Sequence, residues 1–193
     1  MHDLHRALLQ VFTDAGAMSE KEALAALTGL RDVYSAELAN SQYDAYVRAR
    51  VDTKMLDEIV AEVNRKVKFF SLRIARAHCP AYNAFYYGIV NLADGEVSKK
   101  GHSMTPAQVA FFAKVRTELG ERADNEALAT IEWMEALGLS VKLDKAFKLS
   151  NEEADNTLKK LVEEGWLAHG MQRSAEDDLA LGPRSVLQLQ YAS

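Results

Sequence analysis

The side chains of this 193-residue chain that could do chemistry are five histidines, a single cysteine and several doubled carboxylates. Binding a metal ion requires donors that converge. His2, His5, His78, His102 and His169 have no second donor at ligand spacing, apart from the adjacent pair His78-Cys79, whose side chains are poorly spaced for one ion. A lone free cysteine ordinarily behaves as a small hydrophobe, and it cannot form an internal disulfide or a thiolate-rich zinc site. Gly88, Gly95 and Gly101 fall in a strand, a turn and a connector, without the Lys-Ser/Thr that ends a nucleotide loop. The acid pairs Glu152-Glu153, Glu163-Glu164 and Asp177-Asp178 sit at helix ends or a loop tip, where water screens them. There is no Gly-x-Ser-x-Gly elbow, and Ser150 is accounted for as a helix cap. The expectation is a chain with no catalytic residue, no metal ligand and no cofactor of its own.

Charge and composition narrow the remaining classes. Hydrophobic residues make up 48% of the chain and charged residues 26%, enough for one large domain or two small ones. No window approaches the roughly 18 apolar residues of a membrane span, and the start lacks the order of a signal peptide, so a soluble chain inside the cell is expected. The formal net charge is -5. Affinity for nucleic acid comes largely from Lys and Arg displacing counterions, so any DNA contact must be local or shared.

Periodicity supplies the elements. Leu4, Leu8, Leu9 and Phe12 predict a first helix closed at Gly16, and Ser19 with Glu22 forms a capping box opening a second through Leu24, Leu27, Leu30 and Val33. The polar, tyrosine-bearing stretch 34–50 reads as a loop with room for a short helix. Asp52 or Thr53 caps a third helix, with Leu56, Ile59, Val60, Val63, Val67 and Phe70 on its inner stripe. Alternation after Phe69, a break at Cys79-Pro80 and the run Phe85-Tyr86-Tyr87-Gly88-Ile89-Val90 predict a hairpin. Three helices followed by a hairpin is the winged-helix order.

That order then recurs after a Gly-, Ser- and Lys-containing connector. Thr105, Pro106 and Gln108 open a helix, Asn125 opens a shorter one through Leu128, Ile131 and Met134, and Ser150 with Glu153 opens a third that Gly165 ends. Trp166-Leu167 and Leu179-Ala180-Leu181 predict a second hairpin, and Pro183 to Tyr191 a last helix. The expected fold is mainly α with small β wings: two tandem winged-helix domains, 1–98 and 99–193.

In a DNA-reading winged helix the third helix enters the major groove. The segment Ser150 to Glu164 carries Glu152, Glu153, Asp155, Glu163 and Glu164 against Lys159 and Lys160, which opposes such a role. Arg65 and Lys66, with Lys99 and Lys100, are the candidate DNA contacts. Aromatic residues point instead to protein contacts, because Tyr34, Tyr43, Tyr46, Tyr82, Phe85, Tyr86 and Tyr87 crowd the loop and wing of the first half. Phe85 and Tyr87 share one strand face. Leu8, Phe12, Tyr43, Tyr46, Phe85 and Tyr87 are the candidate partner-binding residues.

Several segments resemble a known family. Asp3-Leu4-His5-Arg6 with Leu8-Leu9-Gln10, the strand Tyr87-Gly88-Ile89-Val90-Asn91, and Met104-Thr105-Pro106 leading to Phe111-Phe112 are similar to the first non-SMC element of the SMC five/six chromosome complex. So are Leu161-Val162 with Gly165-Trp166-Leu167, and Leu181-Gly182-Pro183-Arg184. The resemblance implies a scaffold subunit that pairs with a MAGE-type winged-helix partner and a kleisin, serving DNA repair and recombination in the nucleus, with DNA met mainly through the assembled subcomplex. It also implies a cysteine- and histidine-rich RING that binds zinc and supports ubiquitin transfer as an E3 ligase, stimulated by the MAGE partner. This sequence departs there: with one cysteine and an end at Ser193, the RING and its zinc are expected to be missing, as from a truncated chain. The alternative is a winged-helix DNA-binding regulator.

Overall fold

The computed structural model describes residues 2–92, 104–123, 128–170 and 178–191. The expected inter-domain connector, the helix start at Asn125 and the polar tip from Gln172 to 177 lie outside these residues. The chain divides into two compact units: Met1–His78 with Ala84–Asp94 and Leu187–Ser193, and Cys79–Asn83 with Gly95–Val186.

The first unit begins with α1 (Asp3–Ala15), whose Leu4, Leu8 and Phe12 are fully buried. Gly16 ends the helix at φ 71°, a conformation glycine adopts without a Cβ clash, and its N–H donates to the Phe12 carbonyl at 2.9 Å. A short strand β1 (Ala17–Ser19) leads into α2 (Glu20–Val33), whose N-terminus is the expected box: Glu22 N–H donates to Ser19 Oγ, and Ser19 N–H to Glu22 Oε2. Such a cap is worth about 1 kcal/mol. The tyrosine-bearing loop holds two short helices, α3 (Ser35–Ala39) and α4 (Asp44–Arg48). Of the two expected caps, Asp52 closes the start of α5 (Thr53–Val67), accepting from Met55 N–H at 2.9 Å.

α5 buries Leu56, Ile59, Val63 and Val67, but the stripe does not reach Phe70. The chain leaves the helix through a 3-10 turn at Lys68–Phe70 and a left-handed Ser71 (φ 54°), which turns Phe70 out to 68% exposure and Phe69 to 91%. Strands β2 (Leu72–Cys79) and β3 (Ala84–Asn91) follow, with β3 central in the order β1-β3-β2 and Met18 opposite Tyr87. The approach of β1 demands a glycine at 88, since a Cβ there would lie 2.6 Å from the Gly16 carbonyl oxygen and 2.8 Å from Leu187.

β2 is an edge strand, and Asn64 of α5 satisfies its outer backbone. Ile74 N–H donates to Asn64 Oδ1 at 2.7 Å, and Asn64 Nδ2 donates to the Ile74 carbonyl at 2.8 Å. The amide thus stands in for a neighbouring strand and fixes α5 against the sheet. Glu20 makes a second tie, accepting from Arg76 Nη2 at 2.7 Å and from Thr53 Oγ1 at 3.4 Å.

The second unit repeats the order. α6 (Pro106–Ala123) opens with the Thr105–Gln108 box and buries Phe111, Phe112, Val115 and Leu119. The helix expected through Ile131 is corrected. Ile131–Glu132 form strand β4, paired antiparallel with Leu179 and Asp178, and helix α7 spans only Trp133–Gly138. Ile131 is 1% exposed and Met134 is 73% exposed, so the two do not share the inner face that their helical spacing suggested. α8 (Asn151–Glu163) carries the Ser150–Glu153 box; Gly165 follows it at φ 76°, and β5 (Leu167–His169) and β6 (Asp178–Leu181) complete a sheet of order β4-β6-β5. The last helix, α9 (Pro183–Tyr191), starts where Ser185 Oγ donates to the Trp166 carbonyl at 2.6 Å.

Candidate partner-binding surfaces

The six residues expected to meet a partner occupy three environments. Leu8, Phe12 and Tyr87 are core residues with no exposed area, and offering them as contacts is corrected here. Leu8 and Phe12 of α1 meet Tyr87 of β3 in the core: the rings of Phe12 and Tyr87 lie 6.2 Å apart, and the Tyr87 hydroxyl donates to Asp57 Oδ1 at 2.8 Å. Burial, and then the hydrogen bond that the phenol donates to the Asp57 carboxylate, push the Tyr87 pKa well up. Strand alternation correctly groups Phe85 with Tyr87, but Phe85 at the start of β3 is 41% exposed, with the Arg76 guanidinium 3.8 Å from its ring centre.

Tyr43 and Tyr46 are half-buried and stacked at 5.7 Å beside the start of α1. There two imidazoles form the capping box. Leu4 N–H donates to His2 Nδ1 at 3.1 Å, and His2 N–H donates to His5 Nδ1 at 3.2 Å. His5 packs edge-on to Tyr43 at 4.9 Å, and burial lowers its pKa, with the Glu62 carboxylate pulling the other way. The spacing of three between His2 and His5 was the signal for this box, but imidazole is not among the usual caps.

The expected DNA contacts separate as well. Arg65 is exposed and ion-paired to Glu62, Lys66 is exposed beside it, and Lys99 and Lys100 lie outside the described residues. α8 offers no phosphate-binding face. Asp155 is held by Lys159 at 2.6 Å and by the Trp133 indole N–H at 2.9 Å, and these two contacts, in that order of strength, lower its pKa. Among the described residues no three His, Cys, Asp or Glu side chains converge as metal ligands, and no helix is long and apolar enough to cross a membrane.

The basic end of α5 instead borders a groove of ≈ 600 Å³ that the sequence did not reveal, lined by residues including Val60, Asn64, Arg65, Lys68, Leu72 and Arg73. Phe69 and Phe70, edge to face at 5.7 Å, follow Lys68 directly. The signal was present in the adjacent pair Phe69-Phe70 after Arg65-Lys66-Val67-Lys68, but a continuing helical stripe was the simpler reading.

Two three-helix cores, each closed by a three-stranded sheet, make this a tandem winged-helix protein. The profile of the family described as "Nse1 non-SMC component of SMC5-6 complex" matches residues 5–189, and the chain belongs to that family. A solved structure described as "Nse1-Nse3-Nse4 complex" has the same fold, with a TM-score of 0.73 and 19% identity over 98% of this chain and 72% of that one. No curated protein matches the sequence.

Proposed function

We propose that the chain is a scaffold subunit of an SMC5-6-type complex, gripping an Nse3-like MAGE-type subunit and an Nse4-like kleisin through its winged-helix units and serving DNA repair and recombination in the nucleus. The observation that carries this reading is a family match running through both winged-helix units, from residue 5 to residue 189. The named partners come from the description of the solved assembly that shares the fold. Tyr43, Tyr46 and Phe85 keep enough exposed area to contribute to such contacts. DNA is met mainly through the assembled subcomplex, because the net charge of -5 and the acidic α8 give this subunit little counterion release to gain. A zinc-bound RING and its ubiquitin transfer do not fit these residues, since a single cysteine cannot supply the thiolates.

The test is co-expression with MAGE-type and kleisin subunits of the same source. One co-eluting species on size exclusion is expected. A chain that elutes alone at micromolar concentration beside both partners would overturn the proposal.

A further inference from the structure

The groove beside α5 belongs wholly to the first unit, and the core residues Val60, Ile74 and Tyr87 form part of its lining. One wall is α5, from Asp57 to Arg65 and on to Lys68, and the other is β2, with Leu72 and Arg73. Its four cations are not equivalent. Arg65 is paired with Glu62 and Arg76 with Glu20, whereas Lys68 and Arg73 have no carboxylate partner among the described residues. Arg73 is held in place by the Tyr191 ring, 4.8 Å from its guanidinium carbon. Leu92, 42% exposed, lines the groove, and Phe69 (91% exposed) and Phe70 (68%) follow Lys68 directly in the chain, so exposed apolar side chains adjoin its two unpaired cations.

We infer that this groove takes an acidic amphipathic segment of a partner protein, with carboxylates on Lys68 and Arg73 and apolar side chains against Phe69, Phe70 and Leu92. Charge complementarity selects the occupant, and the two aromatics supply the desolvated anchor that protein interfaces concentrate their affinity on. Duplex DNA fits less well. Asp57, Glu58 and Glu62 run along the same helix toward Arg65, so a stiff, continuously charged phosphate backbone laid on α5 would meet carboxylates over most of its length, whereas a short segment can place its few carboxylates at Lys68 and Arg73 alone. An apolar lip also gains little from phosphates. The inference rests on the scaffold reading and adds to it a place and a partner chemistry.

The experiment uses the whole chain and three labelled probes in fluorescence anisotropy: an acidic amphipathic peptide of Glu, Leu and Phe, the same peptide with Lys for Glu, and a short duplex DNA. The acidic peptide should bind best. Lys68→Glu with Arg73→Glu, and separately Phe69→Ala with Phe70→Ala, should each weaken it by about tenfold or more. All four side chains lie at the surface, and an unchanged melting temperature confirms that the variants fold. Equal binding of the two peptides, tighter binding of the duplex, or affinities unmoved by both variants overturn the proposal. Hydrogen exchange on the chain assembled with its MAGE-type and kleisin subunits forms the second arm. Protection at 68–73 supports the groove, and assembly without it overturns the groove while leaving the scaffold reading intact. Selective peptide binding by a chain that never assembles supports the groove and sinks the scaffold.

Discussion

Lowering the pH from 7.5 to 5.5 should loosen the first turn of α1, because two imidazoles hold it where a hydroxyl and a carboxylate usually do. Each accepts an N–H at Nδ1, so each must carry its proton on Nε2; a second proton would turn the acceptor into a donor facing a donor. His5 is 1% exposed, and its Nε2 has no hydrogen-bond partner among the described residues, so burial favours the neutral ring and lowers its pKa from the ordinary 6.5. Above 6.5 neither the folded nor the unfolded chain holds the extra proton and stability is full. As the pH falls below that value the unfolded chain takes up a proton that the folded one refuses. Stability therefore declines until folded His5 itself titrates. Losing the cap costs about 1 kcal/mol, which for a unit of this size is a drop of about 4–8 °C in Tm. His5→Gln supplies the measurement, since glutamine at this position can still accept from the His2 amide but does not titrate. Thermal unfolding followed by circular dichroism at pH 7.5, 6.5 and 5.5 should show the native chain losing about 4–8 °C more than the variant. Titrations common to both chains cancel in that difference. Parallel curves would refute the imidazole cap.

The core assignments make two further predictions. Tyr87→Phe should cost about 1 kcal/mol in urea unfolding through the lost bond to Asp57, and Tyr87→Ala about 3–5 kcal/mol; pull-down of the partner subunits by Tyr87→Phe should be unchanged, and a lost pairing at full stability would restore Tyr87 as a contact residue. Asn64→Ala should cost about 2–3 kcal/mol or more in the same assay, because it orphans both the N–H and the carbonyl of Ile74 on the edge strand, and a cost below about 0.5 kcal/mol would show that water replaces the amide there.

The parts of the fold that were legible in the sequence are those set by short-range chemistry. A hydroxyl and a carboxylate or amide three residues apart announce Ser19-Glu22, Thr105-Gln108 and Ser150-Glu153, and all three boxes are built as spaced. What misled was burial decided from outside the segment. Phe70 continues the arithmetic of α5, but the α-helix stops at Val67 and a 3-10 turn closed by a left-handed Ser71 carries Phe70 off the stripe. Ile131 fits a helical stripe, yet Leu179 recruits it into a strand. Phe85 and Tyr87 have equal claims by alternation, and only the packing of Phe12 and the position along β3 decide that one is core and the other surface.

The groove shows the same limit in its strongest form. Lys68 and Arg73 come from two elements, and they face one cavity because Asn64 draws α5 onto the free edge of β2. No local pattern encodes that tie. Once it is made, the two units present different surfaces from one shared element order: α5 ends in Arg65 and Lys66 and is followed by Lys68, whereas α8 carries Glu152, Glu153, Asp155 and Glu163 against Lys159 and Lys160 and is followed by Glu164. The acidic segment proposed for Lys68 and Arg73 would be repelled by α8, so a duplicated fold need not mean a duplicated partner. Two equivalent docking helices would leave the placing of a partner ambiguous, and a basic end on one element where its counterpart is acidic removes that ambiguity at the cost of a few surface side chains.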